Sequence, residues 1–165
     1  MSLIRATYYV TSLEKVSIVQ LKERGIKLVL LDRDNTCIPR DLKVAPPHVV
    51  EWFKAAQEAG LTLCFISNNI HLSEVRRSAQ ELGIEGEGFA MKPLPRALNF
   101  AMKRFGVTPE QTVMIGDQIF TDIVAGNLAK VSTILVLPQS DEDLWYTNII
   151  RHVEHRILKN VTFTS

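Results

Sequence analysis

Short apolar runs separated by amphipathic stretches set the rhythm of this chain. Residues 27–31, 61–66, 87–91, 112–115 and 132–137 are mostly apolar and bounded by polar clusters, the pattern of strands buried on both faces. Between them, residues 47–59, 71–82, 94–105 and 120–129 have helical length and period, several ending close to a glycine. Thr11 with Glu14 three residues later has the spacing of a capping box, and Leu13, Val16, Val19 and Leu21 then lead to Gly25, which predicts an opening helix. From residue 141 onward, Trp145, Ile149, Val153 and Ile157 recur at every fourth position, with Arg151, Glu154, Arg156 and Lys159 between them. That spacing predicts a C-terminal amphipathic helix within 141–165 that packs against the domain, another subunit or a membrane surface.

Strand and helix alternate throughout. Alternation of this kind calls for a parallel sheet, here of about five strands, with right-handed crossovers and helices on both faces: a three-layer α/β domain. No repeat, low-complexity tract or Gly/Ser-rich linker marks a boundary in the 165 residues, so 1–165 are expected to form one domain, with 1–25 as an N-terminal helical extension. Apolar residues make up 46% and charged ones 22%, the balance of a globular protein. Nineteen Lys and Arg against 18 Asp and Glu leave +1, so no global field gathers nucleic acid, and none is expected as a partner. Every apolar run is far shorter than the roughly 20 residues that cross a bilayer. The N-terminal residues lack the features of a signal peptide, so a cytoplasmic location is expected. Cys37 and Cys64 form no C-x-x-C pair and read as packing residues, while His48, His71, His152 and His155 are dispersed and not at ligand spacing.

In such a fold the polar residues directly after the strands share one crevice. Here they are Asp32-Arg33-Asp34-Asn35-Thr36, Ser67-Asn68-Asn69, Lys92, and Gly116-Asp117. Three carboxylates at one edge repel one another, so the arrangement makes sense mainly around a hard divalent cation, and Mg²⁺ with a substrate phosphate fits best. Alternation along an extended strand end turns Asp32 and Asp34 to the same side, where one can attack phosphorus while the other handles the proton of the leaving oxygen. Mg²⁺ and the Lys92 ammonium cancel charge as a carboxylate approaches a phosphate. The Ser67 hydroxyl and the amides of Asn68 and Asn69 would hold phosphoryl oxygens. Thr36 reads as a hydroxyl that braces the loop, and Gly116 as a point where the backbone passes close to the metal ligands.

With those residues in this order the sequence resembles the haloacid dehalogenase superfamily of aspartate-nucleophile phosphatases, whose four motifs are matched at 32–36, Ser67, Lys92 and 116–122. Met91-Lys92-Pro93, the Gly-Asp-Gln-x-x-Thr-Asp stretch and the helix before the first strand narrow the likeness to the YqeG-type branch of subclass IIIA, related to phosphatidylglycerophosphate phosphatases. The resemblance implies Asp32 as nucleophile forming an aspartyl-phosphate, and Asp34 as general acid and then base. It implies Mg²⁺ on Asp32, the main-chain carbonyl of Asp34 and Asp117, with Ser67, Asn68 and Lys92 at the phosphate. Asp122 is left three roles: approach to the metal through water, orientation of Lys92, or capping of a loop. Arg33 stands where relatives usually carry an apolar residue, and Cys37 where they carry Leu or a similar one.

Many relatives of this kind carry an inserted cap domain. Thirty-two residues separate Asp34 from Ser67 and 24 separate Ser67 from Lys92, nearly all claimed by the predicted helices and strands, so no cap fits. The expected site is open, covered at most by a flap over 39–46, and suits a bulky phosphorylated substrate: a lipid head group, a macromolecule such as a phosphoprotein, or a ligand enclosed by a second subunit. A receiver-like signalling module is disfavoured by residue order, since D-x-D comes first and Lys92 precedes Asp117. A catalytically idle scaffold is disfavoured by the intact charges, which cost stability and would serve no purpose in binding alone.

Overall fold

The computed structural model describes residues 2–140 and 145–165. Its centre is a six-stranded sheet, all parallel, of β1 (Tyr8–Val10), β2 (Leu28–Leu31), β3 (Thr62–Ile66), β4 (Glu85–Glu87), β5 (Thr112–Gly116) and β6 (Ser132–Val136), in the order β1-β6-β5-β2-β3-β4. The helices are α1 (Ile18–Glu23), α2 (Pro47–Glu58), α3 (Leu72–Glu81), α4 (Arg96–Phe105), α5 (Val124–Leu128) and α6 (Trp145–Leu158). No helix among the described residues is long and apolar enough to cross a membrane.

Alternation along the strands builds the two inner layers. Val29 and Leu31, Leu63 and Phe65, and Val113 and Ile115 join Leu21 of α1, Val49, Trp52 and Phe53 of α2, and Val75 and Ala79 of α3 in one core. Leu28, Leu30, Cys64, Ile66 and Met114, one position out of phase, meet Leu98 and Met102 of α4 and Ala125 of α5 on the other face. Both cysteines are buried, and burial pushes the Cys64 thiol up to about 12. A third cluster, Ile119, Ile123 and Leu135, is closed by both termini through Ile4, Tyr9, Ile157, Leu158 and Phe163. The chain after α6 returns to the sheet edge, where Thr164 bridges Val10 and the Phe163 ring meets Tyr9 edge-on.

Several expectations need correction. The sheet has six strands because Tyr8–Val10, a three-residue edge strand, pairs with β6. The opening segment is therefore strand first. Thr11 and Glu14 do not cap a helix: the Ser12 hydroxyl donates to Glu14 (2.7 Å), Leu13–Lys15 makes a 3₁₀ turn, and α1 starts later, with Ser17 Oγ accepting from the Gln20 amide. The fourth strand occupies 85–87 rather than 87–91, since Phe89 and Met91 adopt left-handed φ values (53° and 58°) and are exposed. The helix expected over 120–129 begins with a π turn at Ile119–Ile123 before α5. In α6 the expected stripe is only partly the buried one: Ile157 packs against the third cluster, but Ile149 and Val153 are 62% and 49% exposed while Glu154 is 3% exposed. Residues 141–144, part of the predicted C-terminal helix, lie outside the described residues.

Among the described residues, the stretch 32–46 holds no helix or strand beyond an isolated bridge from Asp34 to Ile38, and 67–71 leads directly into α3. Neither stretch contains an inserted cap.

Candidate active site

From β2 the chain steps one way through β3 and β4, then crosses to the opposite side of β2 for β5. The switch point therefore lies between β2 and β5, where their carboxyl ends open a crevice. Asp32 follows β2 there, its amide donating to Ile115 O (2.9 Å), and Asp117 follows β5. Asn35 takes a left-handed φ of 64°, which Asn tolerates well, and closes a tight turn in which the Arg33 carbonyl accepts from Cys37 and Ile38. That turn presents Thr36, whose hydroxyl donates to Asp117 Oδ1 (2.9 Å).

Asp122, carried on the π turn, completes a triad. One carboxylate oxygen from each of Asp32, Asp117 and Asp122 lies within 4.8 Å of the others, and all three residues are buried. Gly116 makes this possible, because a Cβ there would sit 2.2 Å from Asp122 Oδ2. Lys92 Nζ donates to Asp32 Oδ1 (2.7 Å) and to Asp122 Oδ1 (2.6 Å), while the Gln118 amide donates to Asp122 Oδ2 (3.1 Å). Asp122 thus orients the lysine and caps a loop at once. Burial raises the Asp117 carboxyl well above the usual range, and Asp32 and Asp122 push it further against the opposing pull of Arg151. Burial likewise raises Asp32, with Lys92 opposing. For Lys92 burial works against the charged form, but Asp122 and Asp32 outweigh it and the net shift is upward. The ammonium stays charged, and the acidic cluster is short of positive charge.

Asp34 stands apart from the triad. Arg33 Nη1 donates to its Oδ1 and Asn69 Nδ2 to its Oδ2 (3.3 Å). Asp32, Asp34 and Lys92 nevertheless line one cavity of about 400 Å³ together with Arg40, Asn68, Asn69, Ile70, His71 and Ile150, so the D-x-D pair does share a face. Ser67 is not part of that lining: it is buried, and its Oγ accepts from the Asn69 amide (3.1 Å). Asn68 grips the Lys92 backbone, Nδ2 donating to the carbonyl (2.9 Å) and Oδ1 accepting from the amide (2.8 Å), so its side chain fixes the lysine's loop.

Helix α6 adds two residues whose part in the site the sequence does not signal. Arg151 Nη2 donates to Asp117 Oδ2 (2.6 Å), and the buried Glu154 accepts from the Ile119 and Phe120 amides (2.7 and 3.2 Å) at the start of the π turn. These contacts explain why Arg151 and Glu154 turn inward: the loop after β5 offers a buried carboxylate and two amides, which a guanidinium and a carboxylate satisfy.

Three hard oxygens at this spacing, with raised carboxyl groups among them, fit a divalent cation. The cluster adds the Asp122 carboxylate to Asp32 and Asp117, and the part expected of Asp34 there is its main-chain carbonyl, not its carboxylate. An acidic crevice at the switch point of a doubly wound sheet, with a buried lysine across it, is the arrangement that the resemblance to D-x-D hydrolases implies. The family model described as haloacid dehalogenase-like hydrolase matches residues 39–130, and the chain belongs to that family. It is 36% identical over 91% of its length to "Probable phosphatase YqeG" of Bacillus subtilis, covering 87% of that protein. It is also 30% identical over 84% of its length to the chloroplastic/mitochondrial phosphatidylglycerophosphate phosphatase 1 of Arabidopsis thaliana, of which it spans 42%. Among solved structures, the cobalt-bound deoxy-D-mannose-octulosonate 8-phosphate phosphatase of Haemophilus influenzae superposes with a TM-score of 0.57 at 20% identity, covering 84% of this chain and 90% of that one, a likeness of fold. The protein is a phosphatase of the haloacid dehalogenase-like family.

Proposed function

We propose that the protein is a Mg²⁺-dependent phosphomonoester hydrolase acting through an aspartyl-phosphate on Asp32, with a bulky substrate of which a phosphorylated lipid head group is the best-supported class. The observation that carries the reading is the pairing of Asp32 with Lys92 at 2.7 Å on the wall of a cavity that Asp34 also lines. In the first step an Asp32 oxygen bonds to phosphorus while the bond from phosphorus to the leaving oxygen breaks, and Asp34 gives that oxygen its proton. In the second, Asp34 takes a proton from a water whose oxygen bonds to phosphorus, and the bond to Asp32 breaks, releasing inorganic phosphate. Lys92 holds a phosphoryl oxygen and offsets its charge; Asn68 keeps Lys92 in place, and Ser67 braces the Asn69 amide beside it. Asp32, the Asp34 carbonyl and Asp117, with Asp122 close by, would hold Mg²⁺, which would supply charge cancellation between nucleophile and phosphate.

The substrate class is supported by the residues that flank Lys92 in the chain. Phe89, Met91 and Leu94 are each more than half exposed and form an apolar rim around a cavity of their own, lined also by Ala97 and Phe100 and separate from the one that Asp32 and Lys92 line. Exposed Ile149 and Val153 on α6, next to His152 and Arg156, support peripheral contact of a cytoplasmic protein with a membrane. In this reading 1–165 work as one hydrolase domain, and a second subunit is not required.

The deciding experiment is a phosphatase assay with Mg²⁺ on p-nitrophenyl phosphate, sugar phosphates, nucleotides, phosphopeptides and phosphatidylglycerophosphate in mixed micelles. Turnover that disappears in Asp32→Asn and in chelator, and is highest on the lipid, is the expected result. Near wild-type activity of Asp32→Asn would overturn the mechanism, and preference for a small soluble ester would overturn the substrate class.

A further inference from the structure

Arg33 sits between the two aspartates of the D-x-D strand end, and it is 3% exposed. A guanidinium in that setting is strongly unfavourable unless its donors are matched, so its partners indicate what it is for. Nε donates to Ser78 Oγ (3.0 Å), and Nη1 donates to Asp34 Oδ1. Ser78 in turn donates to the Glu74 carbonyl (3.0 Å), so the tether ends on the backbone of α3. On its other side, Asp34 Oδ2 accepts from Asn69 Nδ2. Each oxygen of this one carboxylate is therefore held by a separate donor. The residues doing so come from the strand end itself and from the loop after β3, and the arginine is anchored to the following helix.

The nucleophile is treated differently. Asp32 meets Lys92 and the other acidic residues, and Arg33 makes no contact with it among the bonds of this network. The buried cation serves the second aspartate alone, which has to present a single oxygen to the leaving group and then to water. Misplacing such a group by about 1 Å can cost about 10²-fold in rate.

We infer that Arg33, anchored by Ser78, is a positioning residue that fixes the Asp34 carboxylate for proton transfer. This rests on the assignment of Asp34 as the general acid and base. It predicts a dependence on the leaving group, because an alkoxide needs a proton to depart whereas p-nitrophenolate leaves without one. The ratio kcat/KM reports it, since that ratio covers the chemistry only as far as departure of the leaving group.

The test compares Arg33→Met, Arg33→Lys, Ser78→Ala, Asp34→Asn and the double variant Arg33→Met/Asp34→Asn on an alkyl phosphate and on p-nitrophenyl phosphate. Arg33→Met should lower kcat/KM about 10²-fold on the alkyl ester and less than about 3-fold on the nitrophenyl ester, with partial recovery in Arg33→Lys. Asp34→Asn should show the same selectivity, more strongly, and the double variant should be no worse than Asp34→Asn alone. Equal losses on both esters in Arg33→Met, or losses that add to those of Asp34→Asn, would overturn the inference. If Arg33→Met does not fold, Ser78→Ala decides: a selective loss on the alkyl ester supports the tether, and no selectivity overturns it. Selectivity in Asp34→Asn without any in the Arg33 and Ser78 variants defeats this inference alone, whereas no selectivity in Asp34→Asn defeats the assignment of the acid beneath it.

Discussion

Arg151 of α6 places its guanidinium 2.6 Å from the buried carboxylate of Asp117, which ties the last helix to the loop that ends the central strand β5. The arginine is 19% exposed at its side chain and Asp117 is fully buried, so the pair lies between the surface and interior regimes. Replacing Arg151 by Met leaves Asp117 beside two other carboxylates without that cation, and should cost about 1–3 kcal/mol in stability. A divalent cation supplies the missing charge, so the loss should shrink in Mg²⁺. Urea melts of both proteins with chelator and with Mg²⁺ check this; an equal loss in both conditions would mean that Arg151 acts by packing alone.

The same electrostatics gives a pH dependence with a definite sign. Asp117 and Asp32 are both raised, chiefly by burial, so between the ordinary carboxylate range and their folded values the native state binds more protons than the unfolded chain. Their contribution is fully present at low pH and is lost as pH rises through the folded values. Metal-free protein should lose stability from about pH 4 upward, by at most about 1.4 kcal/mol per pH unit for each group. Cations favour the ionised carboxylates, so the stabilisation gained from Mg²⁺ should grow over the same window. Melts in chelator whose midpoint rises with pH there would contradict the assignment.

Gly116 offers a steric test of the triad. A methyl group at this position would overlap the Asp122 carboxylate, and moving that carboxylate releases Lys92 Nζ and the Gln118 amide together. Gly116→Ala should cost about 1–3 kcal/mol from overpacking and the lost bonds. It should also lower kcat well beyond what KM shows. Calorimetry and steady-state kinetics on one preparation test it, and unchanged kcat in a folded variant would remove Asp122 from the lysine's support.

The strands that carry chemistry were legible because β2, β3 and β5 are buried on both faces and read as unbroken apolar runs ending in polar clusters. Tyr8–Val10 escaped that reading because an edge strand of three residues, half in solvent, has no run to show. The sequence misplaces β4 because Glu-Gly-Glu is an unpromising strand, while of Phe89, Ala90 and Met91 only Ala90 is buried in the core. The sequence puts Asp32, Asp34, Lys92 and Asp117 at strand ends, and the structure brings them to one sheet edge, but their partners carry no such signal. Arg151 and Glu154 are remote in sequence, and the apolar spacing draws attention to Ile149 and Val153, which are exposed, rather than to them. The link from Arg33 through Ser78 needs the packing of α3 against the strand end, which no local pattern encodes.

The apolar rim tests the substrate class directly. Phe89 and Met91 hold left-handed φ values that bulky side chains disfavour, yet both side chains are 60% and 52% exposed, so burial does not offset the strain. Asn is better tolerated in that conformation, so Phe89→Asn with Met91→Asn should leave stability unchanged or slightly raised, within about 0.5 kcal/mol. If these side chains meet the apolar part of a lipid, the double variant should lose about tenfold or more in kcat/KM on phosphatidylglycerophosphate micelles, in line with about 1.5–3 kcal/mol for burying one large apolar side chain. Its kcat/KM on glycerol 3-phosphate should stay at the wild-type value, because the phosphate contacts are untouched. Equal loss on both substrates would assign the rim to the lysine loop, and no loss on either would place lipid contact elsewhere, with the exposed face of α6 at Ile149 and Val153 as the next surface to change.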